Sequence, residues 1–353
     1  MSTASAVPET YHLGGADAKQ TMKHVGWGRL LKDSFTRFRT ADGFSTTRAL
    51  AHAAVLTAFP ALIAIVGIAS ALDLGGFRQV VQGTIERLAP GQSGKLLQSA
   101  FRHGSHGSGG SAVIGGLLGF LISGTFAMTL VERGCNRAYG MVRDRRIWKK
   151  LLVGFGVNIS GGILLGIAFL ALAAGDGIRQ GLASAGVSDS ISTAFGVARW
   201  PVGLLLVFAA LTLMYKASPN RRQPGIAWLQ TGTVLATILW VALTALLAWY
   251  YSVNGSLGTT YGPLLGIIAL LTWAYASAFA VFMGIAFAAQ LEAVRAGVPG
   301  PRTLRRFNET VIDPGETRHL EAQRPTVVSD PSLAARPAAS APPEEKPPQQ
   351  LTA

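Results

Sequence analysis

Six histidines, at positions 12, 24, 52, 103, 106 and 319, and one cysteine, Cys135, are the side chains best suited to hold a metal or attack a substrate. Metal-assisted hydrolysis needs His and Asp gathered so that they bind an ion and activate water. His103 and His106 come nearest, three apart in a Gly/Ser run, but no carboxylate or thiol stands beside them, as a zinc-type site would require. A single cysteine makes neither a disulfide framework nor a thiolate cluster. No catalytic residue, metal or cofactor is assigned. The one compact polar group of acid–base type is Glu132, Arg133 and Asn136, at the end of an apolar run, and Glu292 ends another such run. Carboxylates in those positions are far from the midplane, where a proton-coupled pump usually keeps one. They read instead as a structural cluster, with Glu132 expected to pair with the last apolar helix.

The elements that position these groups are membrane helices. Only 14% of the 353 residues are charged, well below the roughly 25% of a soluble domain. Uncharged runs are long enough to cross a hydrocarbon core, which takes about 20 helical residues. Lipid offers the backbone no hydrogen-bond partner, so a spanning segment is a helix or part of a closed barrel. The runs are continuous rather than alternating, which points away from a barrel. The expectation is an all-α membrane protein, a bundle of six transmembrane helices over about 49–72, 111–131, 151–175, 200–215, 225–251 and 262–291. A polar, basic stretch precedes the first run, so no cleaved signal peptide is expected.

The net charge of +13 follows the same alternation. Counted over alternate connections and ends, 21 Lys and Arg residues fall on one side and 6 on the other, and the positive-inside rule places the richer side, with both termini, in the cytoplasm. The expected partner is the lipid bilayer, with anionic head groups at the basic face. Nucleic acid is not needed to explain these charges. Arg199 is read as interfacial, because Trp200 and Pro201 beside it suit a membrane boundary and a first helical turn.

Residues 1–24 and the Pro-rich segment 298–353 read as disordered, since neither has the apolar content to bury a core. Between them, Trp27, Leu30, Leu31, Phe35 and Phe38 follow helical spacing with Arg29, Lys32, Arg37 and Arg39 interspersed. That pattern gives an amphipathic helix, lying in the membrane interface or packed on the bundle. Shorter amphipathic helices are expected in the first outer loop, over Phe77–Leu88 and Leu96–Phe101. Small residues at four-residue spacing mark packing seams: Gly115, Gly119, Ser123 and Ala127; Gly162 and Gly166; Gly262 and Gly266. Pro60 removes a backbone hydrogen bond in mid-span and predicts a kink. Asn158, Gln230, Thr231, Thr237 and Thr244 line a polar cavity or bond between helices.

Ala58-Phe59-Pro60, Asn136-Arg-Ala-Tyr-Gly140, Tyr215, Pro219-Asn220, Gly232, Trp240, Tyr261-Gly262, Trp273, Tyr275, Gly284 and Ala289-Gln-Leu-Glu-Ala293 occur in that order. The set resembles the bacterial YihY/BrkB membrane proteins, long known under the name ribonuclease BN, across about residues 25–295. His52-Ala53 and Ala286 depart from it, where relatives often carry paired tyrosines and an acidic residue. The resemblance implies an inner-membrane protein, expected to be a transporter or lipid-handling permease. The alternative is a scaffold or envelope-integrity protein that binds partners through its basic face. Neither is an enzyme, and the histidine spacing speaks against the ribonuclease name. The positions taken as functional or structural candidates are Pro60, Glu132, Arg133, Asn136, Asn158, Tyr215, Pro219, Asn220, Tyr261, Gly262, Tyr275, Gln290 and Glu292.

Overall fold

The structure, a computed structural model, describes residues 4–10, 12–71, 109–141, 143–173, 188–254 and 263–298. Among them are eight helices: α1 (Gly15–Val25), α2 (Trp27–Thr40), α3 (Gly43–Ala71), α4 (Gly109–Ala138), α5 (Ile147–Ala173), α6 (Asp189–Ala217), α7 (Ile226–Val253) and α8 (Pro263–Arg295). Six, α3 to α8, are long and apolar enough to cross a membrane, as the uncharged runs predict. The loop helices expected over 77–101, the histidine pair 103 and 106, Tyr261, Gly262 and the segment 299–353 lie outside the described residues.

Each membrane helix packs on the next in sequence, and α8 closes the series on α3 while also touching α2 and α4. The helices run past boundaries drawn at the first charged residue. The reason is local. α4 continues through Glu132, Arg133 and Arg137 until Gly140 supplies a left-handed φ of 68°. There Gly140 N–H donates to Arg137 O at 3.0 Å and Met141 N–H to Asn136 O at 2.9 Å, the paired bonds of a glycine-terminated helix. α8 ends the same way, with Gly297 at φ 69° and Val298 N–H donating to Ala293 O at 2.9 Å.

The fourth span begins earlier than expected. α6 starts at Asp189 and carries Arg199, Trp200 and Pro201 inside it, so Pro201 does not mark a first turn. The Arg199 guanidinium lies 5.6 Å from the Trp200 ring centroid, a local stacking that accounts for the pair without a helix boundary.

Within the stretch expected to be disordered, residues 15–24 are helical. α1 occupies 15–25 and seats Ala18 in a cluster with Leu30, Trp228, Phe287 and Leu291. Gly225 N–H donates to Leu13 O at 3.2 Å, and a Cβ on Gly15 would stand 3.2 Å from Ala227 Cβ. The segment has no core of its own and borrows that of α7 and α8, which composition alone does not reveal. α2 buries Leu30, Ser34, Arg37 and Phe38 against the bundle. Its other face leaves Trp27, Leu31 and Phe35 exposed.

Close helix contacts use glycine, but not on every predicted stripe. A Cβ on Gly116 would come 2.6 Å from Ala64 N, and one on Gly119 2.9 Å from Pro60 Cβ, which fixes α4 against α3. Gly115 and Gly166 face open space, so their spacing is fortuitous. A further close crossing pairs two glycines that belong to none of these stripes. A Cβ on Gly232 would lie 2.5 Å from Gly284 O, and one on Gly284 2.6 Å from Gly232 O, so α7 and α8 meet backbone to backbone.

Burial is uneven along the bundle. From Phe282 to Ala293 every residue of α8 is buried, whereas none from Leu264 to Trp273 is. α7 is buried at Trp228, Leu229, Gly232, Thr233, Ala236 and Thr237 and nowhere beyond.

Candidate functional site

The well-packed end is where α4, α6 and α8 finish and α3, α5 and α7 begin. Polar side chains converge there. At the end of α4, Glu132, Asn136 and, one residue past the helix, Tyr139 follow the i, i+4, i+7 spacing of one helix face, and all three are buried. Arg133 projects from an exposed position, from which its charge acts on Asp144. Arg137, also off that face, pairs with Asp42 at 2.8 Å.

Glu132 does not pair with the last helix. Its Oε2 lies 3.1 Å from Arg145 Nη1, in the connection between α4 and α5. Arg145 also donates to the carbonyls of Ala217 at 3.2 Å, Ser218 at 2.8 Å and Pro219 at 2.8 Å. These are the free acceptors at the end of α6, where a cation is favoured by the helix dipole. Asn136 clamps both connections. Its Nδ2 donates to Asp144 Oδ1 at 2.9 Å and its Oδ1 accepts from Asn220 N–H at 2.8 Å. Asp144 also accepts from Lys150 at 3.0 Å. Burial alone would raise the Asp144 pKa, but the bonds from Asn136 and Lys150 outweigh it and hold the carboxyl below its usual range.

A second centre is built on α8. Glu292 accepts from Arg221 and from both the N–H and the hydroxyl of Thr10; the Arg221 and Glu292 side chains are 1% and 0% exposed. Arg221 donates further to Val7 O at 3.3 Å and Pro8 O at 2.9 Å, and its Cζ lies 4.4 Å from the Tyr139 ring centroid. Burial raises the Tyr139 pKa well above its usual value and keeps the ring neutral beneath the guanidinium. Gln290 accepts from Arg37 Nε at 2.7 Å. Arg37 also donates to Ser5 O and Ala138 O, each at 3.1 Å, and to Ser5 Oγ at 3.3 Å. Burial pushes its pKa down to about 10, so it is still charged at neutral pH and needs these acceptors. Residues 4–10 are thereby laced across this end, and Val7 N–H adds a bond to Tyr139 O at 3.1 Å.

The other candidates serve packing. Tyr215 donates to Val281 O in α8. Asn158 Nδ2 reaches Phe120 O at 3.4 Å, and a Cβ on Gly124 would touch the Asn158 amide. Pro60 lies against Gly119, and Tyr275 packs on the main core away from the polar cluster. Thr10, Arg37, Tyr139, Arg145 and Arg221 were not singled out. Arg37 had a signal, since it shares a helical face with Leu30, Ser34 and Phe38 where a charge is out of place. Among the described residues no group of three His, Cys, Asp or Glu could hold a metal ion.

A family profile described as "Virulence factor BrkB" matches residues 34–305. The ribonuclease-like protein YfkH of Bacillus subtilis is 30% identical over 259 residues, covering 72% of this chain and 92% of YfkH. A UPF0761 membrane protein of Rhodospirillum rubrum is 26% identical over 250 residues, 69% of this chain but only 55% of that protein. No solved structure matches. With the family profile spanning most of the sequence and six apolar helices in the structure, the chain belongs to the virulence factor BrkB family of membrane proteins.

Proposed function

We propose that this protein is a permease of the bacterial inner membrane that handles lipid, closed at its basic end and oriented with that end in the cytoplasm. The asymmetry of burial carries the reading. Ion pairs and a crossing stretch of backbone seal one end, while α7 buries nothing beyond Thr237 and α8 nothing from Leu264 to Trp273. Leu264, Ile267, Ile268 and Leu271 on α8 and Leu246 and Trp249 on α7 are exposed there, which suits acyl chains better than a hydrophilic solute. Anionic head groups are the partner at the basic end. Trp27, Leu31 and Phe35 on α2 and Trp148 on α5 are exposed beside Arg29, Lys32, Arg146 and Lys149, an aromatic and basic rim of the kind that anchors at the interface.

Purified protein reconstituted into liposomes with fluorescent phospholipids is expected to accelerate transbilayer exchange over empty liposomes. No acceleration across neutral and anionic lipids would end the proposal. The scaffold reading has its own support. Thr212 bonds to Thr233 at 3.3 Å and Trp273 Nε1 to Thr244 at 3.2 Å, so these polar groups tie helices together rather than line a path. A stoichiometric partner captured in mild detergent, with no lipid movement, would favour it. No catalytic step belongs to either reading, and the ribonuclease-like name of YfkH describes that protein alone.

A further inference from the structure

The ion pair at Glu292 is covered by backbone, and the covering atoms form a pattern. Val7 O and Pro8 O face the Arg221 guanidinium, at 3.3 and 2.9 Å, while Thr10 offers its N–H and hydroxyl to the Glu292 carboxylate. The segment thus sets acceptors against the cation and donors against the anion, as a zwitterion would. It does not use the site up. Arg221 Nε and Glu292 Oε2 have no hydrogen-bond partner, although both side chains are more than nine-tenths buried. Buried polar atoms are rarely left so. The signs of the orphans match the same ligand: a further donor on the guanidinium and a further acceptor on the carboxylate.

We propose that Arg221 and Glu292, floored by the Tyr139 ring, form a binding site for a zwitterionic group, a phosphate or carboxylate beside an ammonium, and that residues 7–10 occupy it as an internal mimic. The guanidinium fork takes the anionic part. Glu292 takes the ammonium. This deepens the permease reading, under which the ligand is an ethanolamine-type lipid head group. Pro8 and Glu9 are exposed, so the covering segment can be lifted from the solvent side without moving a membrane helix.

Hydrogen–deuterium exchange of the full chain in detergent tests the site without any transport. Adding sn-glycero-3-phosphoethanolamine is expected to speed exchange at the Val7 and Thr10 amides at least about tenfold, because the ligand displaces the segment. Glycerol 3-phosphate, which lacks the ammonium, is expected to do so only at far higher concentration. Glycine acting as well as the phosphoethanolamine would support the site and assign it to free amino acids instead of lipid. Thr10→Val removes one competing donor and is expected to tighten binding about fivefold, the worth of one net hydrogen bond. Glu292→Gln is expected to abolish the preference for the ammonium-bearing ligand. Unchanged exchange in both the native and Thr10→Val proteins, or equal response to glycerol 3-phosphate, would overturn the proposal. A failure to move lipid in liposomes would leave these binding results standing and sink only the permease reading.

Discussion

Removing either partner of the pair between Glu132 and Arg145 has unequal consequences. The two are 3.1 Å apart, with side chains 2% and 16% exposed. At an effective dielectric constant of about 20, that separation gives about 5 kcal/mol of gross attraction, most of it offset by desolvation. Glu132→Gln leaves Arg145 with its three carbonyl acceptors on Ala217, Ser218 and Pro219. The expected cost is about 1–2 kcal/mol. Arg145→Met strands a buried carboxylate and uncaps α6, so about 3–5 kcal/mol is expected, the range for a broken buried pair. The double variant should be less damaging than the sum of the singles by about 1–2 kcal/mol, the coupling of neighbouring charges. Reversible unfolding by dodecyl sulfate in mixed micelles, followed by tryptophan fluorescence, measures all three. If Glu132→Gln costs as much as Arg145→Met, or the two effects simply add, the assignment of Arg145 as a shared cap and counter-ion is wrong.

Gly284→Val should drive α7 and α8 apart and lower stability by roughly 2 kcal/mol or more, the cost of overpacking, whereas Gly115→Ala, with nothing within 4 Å, should gain about 0.5–1 kcal/mol from helix propensity; the same unfolding titration compares them. Arg37→Ala severs the bonds to Ser5, Ala138 and Gln290, and residues 4–10 should then be cut by a nonspecific protease under conditions in which the native segment resists. The lowered Asp144 pKa gives stability that is fully present above the ordinary value of 3.8 and is lost as pH falls through the lower folded value. Because Asp144 is 48% exposed, the effect is expected to stay below about 1 kcal/mol. Asp144→Asn should abolish that acid-dependent increment while the rest of the profile is unchanged.

The membrane helices were legible because lipid leaves a spanning backbone one local solution, and a run such as Leu151–Gly175 states it without reference to any neighbour. Their ends were not, because a charge beside an apolar run does not stop a helix. Gly140 and Gly297 do, by taking a positive φ. Asn136, Gln290 and Glu292 were visible as polar residues on apolar faces. Their partners were hidden for the opposite reason. Arg145 and Arg221 sit in polar connections where an arginine has an ordinary explanation, and Thr10 lies in a stretch too polar to suggest burial. Only the fold brings Thr10 to Glu292, 282 positions away. Gly232 and Gly284 illustrate a third limit, since each stood out singly but nothing in either helix says that the two touch.

The lacing of residues 4–10 also bears on how the protein is made. This stretch comes before all eight described helices in the sequence, so it leaves the ribosome ahead of the partners it bonds to. Ser5 waits for Arg37, Val7 for Tyr139, and Thr10 for Glu292 near the end of the last span. Ser5 and Val7 can therefore be held early, but Thr10 cannot complete its bonds until the last span has been made. The segment's full docking then requires α2, the end of α4, the connection before α7 and the last span all to be in place. A bulky fusion placed ahead of it would impair assembly at the last step and leave insertion of the earlier helices intact.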